Sequence, residues 1–94
     1  MEKSSLVPIG RVARTHGVRG AVQIYPYGET LGVLKAGEKL FVLSSENAVE
    51  RELTLVGLNA HKRGWIGQFE EVGDMDSALG LAGKELSVTR DRLP

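Results

Sequence analysis

The segment Arg14-Thr15-His16-Gly17-Val18-Arg19-Gly20 concentrates the side chains in this sequence most able to recognise another molecule. A guanidinium is planar, permanently charged and matched to the oxygen pairs of phosphate or carboxylate. The imidazole of His16 sits between the two arginines and can donate or accept through its ring nitrogens. Gly17 and Gly20 allow positive φ and a close approach of the backbone to a neighbour. The segment contains Gly-x-x-Gly, but it joins two predicted strands and is followed neither by a helix nor by Lys-Ser/Thr. Both a P-loop and a dinucleotide fingerprint are therefore excluded. Two readings stand side by side. In one, Arg14, Thr15, His16, Gly17, Arg19 and Gly20 meet an RNA phosphate or a protein carboxylate. In the other, the segment is a plain hairpin with solvated arginines. A secondary patch, His61-Lys62-Arg63, lies on a predicted hairpin tip next to Trp65; alone it reads as a solvated turn, with an RNA or partner contact as its alternative.

Catalytic chemistry has little to draw on. The two histidines have no carboxylate or second histidine at metal-ligand spacing, and no His-Glu-x-x-His motif is present. Glu70, Glu71, Asp74 and Asp76 form the one carboxylate cluster, which reads as helix capping and dipole interaction rather than acid/base catalysis. No serine sits in a nucleophile elbow. The expectation is a protein that is not an enzyme and that uses no metal or other cofactor.

Composition narrows the class further. The 94 residues carry twelve Lys and Arg against twelve Asp and Glu, with no cysteine and 41% hydrophobic residues. This length suits one domain that hides roughly 60–65% of its unfolded surface. Without cysteine there is no disulfide framework, which points to a reducing, cytoplasmic setting. No stretch approaches a membrane span, and the first eight residues lack the apolar core of a signal peptide. Zero net charge argues against a bulk polyanion binder, so contact with nucleic acid requires a local patch. The charge is uneven: residues 1–20 hold four cations against Glu2, whereas residues 68–78 hold four carboxylates and no cation.

The elements that must carry these patches are short and β-rich, punctuated by twelve glycines. A first strand is predicted over 6–14, with Gly10 and Val12 on one face and Ile9, Arg11 and Ala13 on the other; Pro8 suggests an edge or a strand start. The second covers 21–25, with Val22 and Ile24 on one face and Gln23 and Tyr25 on the other, and ends at Pro26. Residues 27–38 read as a loop with one helical turn. Strands follow over 40–43, 51–57 and 65–69, the last two joined through 59–64. Asp74 is placed to cap a helix whose stripe is Met75, Ala78, Leu79 and Ala82, with Gly83 as its left-handed stop. A final strand covers 85–88. The architecture expected is mainly β, a six-stranded antiparallel β-barrel with one short helix between strands five and six; an open sandwich is the alternative.

The run Ile9-Gly10-Arg11-Val12-Ala13-Arg14-Thr15-His16-Gly17-Val18-Arg19-Gly20-Ala21-Val22-Gln23-Ile24 closely resembles the amino-terminal signature of the RimM family of ribosome maturation factors. Later landmarks are similar in order: Gly37-Glu38 before Leu40, Arg51-Glu52-Leu53-Thr54-Leu55, His61 before Trp65, Phe69 to Asp74, and Leu86-Ser87-Val88 running to Leu93-Pro94. The resemblance implies a barrel of the translation-factor type and a non-enzymatic role. It further implies binding to the small ribosomal subunit, help in late assembly of the subunit head and in processing of small-subunit rRNA, and a contact with that rRNA. A recognised partner by the same resemblance is the nineteenth small-subunit ribosomal protein, reached mainly through a second, PRC-type barrel. This sequence stops at Leu93-Pro94, where the linker to that barrel would begin. It therefore resembles an isolated amino-terminal domain over residues 1–94, with 89–94 as the exit segment. The alternatives kept are a general RNA-binding barrel and a purely structural half that positions the second domain.

Overall fold

The computed structural model describes residues 6–17, 19–44, 48–62 and 64–90. Its elements are β1 (Leu6–His16), β2 (Ala21–Pro26), β3 (Lys39–Leu43), β4 (Val49–His61), β5 (Gly64–Phe69), α1 (Met75–Leu79) and β6 (Glu85–Thr89). The strands close antiparallel in the order β1-β2-β5-β4-β3-β6, so each has two neighbours and no edge is left open. This is the six-stranded barrel expected from the sequence, with its short helix between β5 and β6. Apolar side chains from all six strands fill the interior: Val12, Val22, Ile24, Leu40, Leu53, Leu55, Phe69 and Leu86 belong to one buried cluster. Leu31 and Leu34, around a single 3-10 turn at Leu31–Val33, and Ala78 and Leu81 also belong to it.

Several expectations from strict alternation give way to β-bulges. Pro8 lies near the start of β1, as expected: it pairs with Ser87 of β6 at the register shift between Pro8 and Gly10, and the ladder to β2 begins only at Gly10, so a missing N–H is tolerated. That shift puts Ile9 in the core together with Val12, not on the opposite face. β4 is longer than residues 51–57, and its ladder to β5 runs out to His61 and Gly64, so most of the connection expected over 59–64 is strand. Arg51 is exposed although Leu53 and Leu55 are buried.

The helix is also shorter than its apolar stripe suggested. It ends at Leu79, where Gly80 weakens propagation, and the Gly83 N–H bonds the Val12 carbonyl at 2.7 Å instead of extending the helix. Met75 and Leu79 are consequently exposed, while Ala78 and the post-helical Leu81 enter the core. Gly83 does take positive φ. Thr89 belongs to β6 and Arg90, just past it, is exposed; residues 91–94, which complete the expected exit segment, lie outside the described residues.

The carboxylates around α1 have structural work. Asp74 Oδ1 accepts the Ser77 N–H at 2.8 Å, the capping bond expected. Glu71 instead reaches back to β4, where it accepts the Thr54 N–H at 2.7 Å and the Thr54 hydroxyl at 2.9 Å. The Thr54 oxygen in turn accepts from Lys39 Nζ at 2.7 Å. The backbone hydrogen bond from Thr54 chiefly holds the Glu71 carboxyl below its ordinary value of 4.5, outweighing the opposing desolvation. A carboxyl with a lowered folded value stabilises the fold above its ordinary value, and the contribution is lost as pH falls through the depressed one. Glu71→Gln should therefore lower the urea midpoint at pH 7, and the variant should lose less than the parent protein when the titration is repeated at pH 3. Equal acid losses in the two proteins would remove Glu71 from the acid response.

Candidate functional site

The candidate face is built on a bulge. Val12 pairs with Ile24 and Arg14 with Gln23, which leaves Ala13 as an extra residue opposite no partner. With unbroken alternation, Arg14 would point inward like Val12. The bulge turns it outward, onto the surface that carries Gln23 and Tyr25. There the Arg14 Nε donates to Gln23 Oε1 at 2.7 Å, which fixes the guanidinium at the surface. Tyr25, opposite Arg11, is 61% exposed. Just past the end of β2, the Tyr27 hydroxyl donates to Glu85 Oε2 at 2.7 Å. Burial first, then this hydrogen bond, raises the Tyr27 phenol above its ordinary value, while Arg11 pulls it down. Arg11 thus belongs to a local group with a carboxylate, whereas Arg14 forms no ion pair among the described residues.

The loop from β1 to β2 uses its glycines as expected. Gly17 has φ 74° and faces open space. Gly20 has φ 88°, and a Cβ there would lie 2.4 Å from the Val72 carbonyl oxygen and 3.0 Å from the Asp74 nitrogen. The acidic segment is therefore not remote from the basic loop, although the two are far apart in sequence: its backbone is the surface against which the loop closes. Arg19 and His16 are exposed, Thr15 is half-buried, and Val18 lies outside the described residues.

The second patch arrives beside the first because β2 pairs with β5 and β5 with β4. The rings of His16 and His61 meet edge to face with centroids 5.2 Å apart. Neither histidine has a second histidine nearby in sequence; in space they are neighbours. Among the described residues, no group of three or more His, Asp or Glu side chains converges on a metal-binding point. Lys62 turns the β4–β5 connection with a left-handed φ of 53°, a conformation cheaper for glycine. Lys62→Gly should accordingly raise stability by about 1 kcal/mol in urea unfolding, while removing a cation from the face. Arg63 lies outside the described residues.

Three adjoining depressions run across this region. One lies by Arg14, Gln23, Tyr25 and Lys62, one between Arg14, His16 and His61, and one by His16, Arg19, Asn59 and Gln68. No carboxylate lines any of them among the described residues. The structure thus joins the main and secondary patches into one cationic face. Gln23 and Tyr25 are additions to it. Their signal was their shared outward face opposite Val22 and Ile24, but without the bulge nothing tied that face to Arg14.

The family model described as RimM N-terminal domain matches residues 7–93. A curated relative from Syntrophobacter fumaroxidans, named ribosome maturation factor RimM, is 47% identical over 94 residues, covering all of this chain and 53% of that protein. One from Pelobacter propionicus with the same name is 30% identical, covering all of this chain and 54% of that protein. The chain thus spans about half the length of the curated relatives it matches. Among solved structures, a 16S ribosomal RNA processing protein RimM from Pseudomonas aeruginosa superposes with a TM-score of 0.79 at 22% identity, over 95% of this chain and 53% of that one. The solution structure of the N-terminal domain of RimM from Thermus thermophilus gives 0.73 at 20% identity, over 95% and 94% of the two chains. These two likenesses concern the fold.

Proposed function

The chain belongs to the RimM family of ribosome maturation factors, and on that footing we propose that it is the domain by which such a factor docks on the immature small ribosomal subunit. The carrying observation is the continuous face that sets the cations Arg14, Arg19 and Lys62 around His16 and His61, with no carboxylate among the described residues that line its depressions. In this reading Arg14 and Arg19 supply charge-assisted bonds, and Gly17 and Gly20 shape the loop that presents them. The work done is assistance to late assembly of the subunit head and to processing of its rRNA in the cytoplasm, without catalysis by this domain. Contact with the nineteenth small-subunit ribosomal protein falls mainly to a second domain of the PRC type.

Co-sedimentation of the 94-residue chain with immature small subunits, mature small subunits and large subunits tests this reading. Saturable association with the immature small subunit, weaker with the other two, is expected. Equal association with all three would support general RNA binding instead, and none would leave the domain a spacer.

A further inference from the structure

The depression beside Arg14 has a make-up that docking through charge alone does not require. It measures about 290 Å³ and is lined by Ala13, Arg14, Gln23, Tyr25, Lys62 and Gly64 among its residues. Resting on the docking reading above, we propose that it binds one unpaired nucleotide of single-stranded RNA, with the base against the Tyr25 ring and the flanking phosphates on Arg14 and Lys62.

Each part of that ligand has a counterpart. The 61% exposed ring of Tyr25 offers a π-face, to which any base can stack. Ala13, thrown out by the bulge, and Gly64, which has no side chain, keep the surroundings low enough for a flat ring to enter. A Cβ at Gly64 would in any case lie 2.5 Å from the Ile24 carbonyl oxygen, so packing between β2 and β5 keeps that position bare. Gln23 has its amide oxygen occupied by Arg14 Nε, which leaves its amide N–H groups to donate to a base carbonyl. Arg14 and Lys62 bring positive charge from the two sides, and no lining residue among the described ones is acidic. An acidic peptide would match the cations but would leave the flat ring and the amide donor unused. A duplex would match them too, but its bases are stacked and paired and cannot enter a depression.

The test is a backbone-amide NMR titration of the 94-residue chain with a single-stranded uridylate hexamer, an RNA duplex of equal length and a glutamate hexapeptide. Selective shifts at Arg14, Gln23, Tyr25 and Lys62 with the single strand are expected. Tyr25→Thr, which keeps β propensity at an exposed position, should weaken that binding about tenfold, and Tyr25→Phe should retain it. Thermal unfolding of both variants checks that the barrel is intact. Equal shifts with the duplex, shifts with the peptide alone, or a Tyr25→Thr variant that binds as the parent does would each overturn the proposal. Co-sedimentation with immature subunits separates the two levels: association without single-strand shifts removes the nucleotide site and leaves docking standing, whereas loss of association removes docking itself.

Discussion

Gly20→Val should destabilise the barrel by about 3 kcal/mol or more, whereas Gly17→Ala should cost only about 1 kcal/mol. Both glycines take positive φ, which a β-branched side chain tolerates least. Only Gly20 also has a backbone neighbour inside the space its Cβ would need, with the Val72 carbonyl oxygen 2.4 Å away. A flexible side chain could move aside, but the backbone of 72–74 is held by the Asp74 cap and by the Val72 N–H bond to the Phe69 carbonyl at 3.2 Å. The strain therefore has no cheap outlet. A domain of this size has a net stability of about 5–10 kcal/mol, so the Gly20 variant should unfold at much lower urea while Gly17→Ala stays close to the parent. Equal costs at the two positions would mean that the loop does not close on 72–74. The contrast also matters for function: loss of binding in a Gly20 variant reports a damaged fold, not a lost contact.

Arg14→Ala with Arg19→Ala reports contact. Both residues are exposed, and the Arg14–Gln23 bond lies at the surface, so the melting temperature should hardly change. Association with immature small subunits should fall by about 10- to 100-fold at low salt, and the slope of log affinity against log salt should drop by about 2, one for each lost phosphate contact. Lys62→Gly should move both quantities the same way by a smaller amount while raising stability, which no loss of folding could mimic. A folded double variant that binds with unchanged affinity and slope would reduce the loop to architecture.

Much of the fold could be read from alternation and glycine placement, because a closed barrel makes every strand half-buried and gives each face a period of two. What alternation could not show is where it breaks. The bulges at 8–10 and 12–14 each shift the pattern by one residue, and they decide that Ile9 is inside and that Arg14 is outside. The helix stripe failed for a related reason: one turn ending before Gly80 has too little length for 3.6 periodicity to govern burial. At the site, the side chains of the β1–β2 loop were identifiable by type, and so were those at the β4–β5 tip. Their union was not, since the 5.2 Å approach of His16 and His61 depends on β5 lying between β2 and β4, which no local pattern encodes. Tyr25 was visible only as a neighbour of Gln23; its place beside Arg14 required the bulge at Ala13.

Hydroxyl-radical footprinting of the chain, free and bound to immature small subunits, tests the docking face most directly, because reactive side chains sit on and off it. Tyr25 and His16 lie on the face, and Met75 and Leu79 are exposed on α1. The account predicts that Tyr25 and His16 become protected on binding while Met75 and Leu79 react as in the free chain. Protection at Met75 and Leu79, with Tyr25 and His16 as reactive as before, would contradict it.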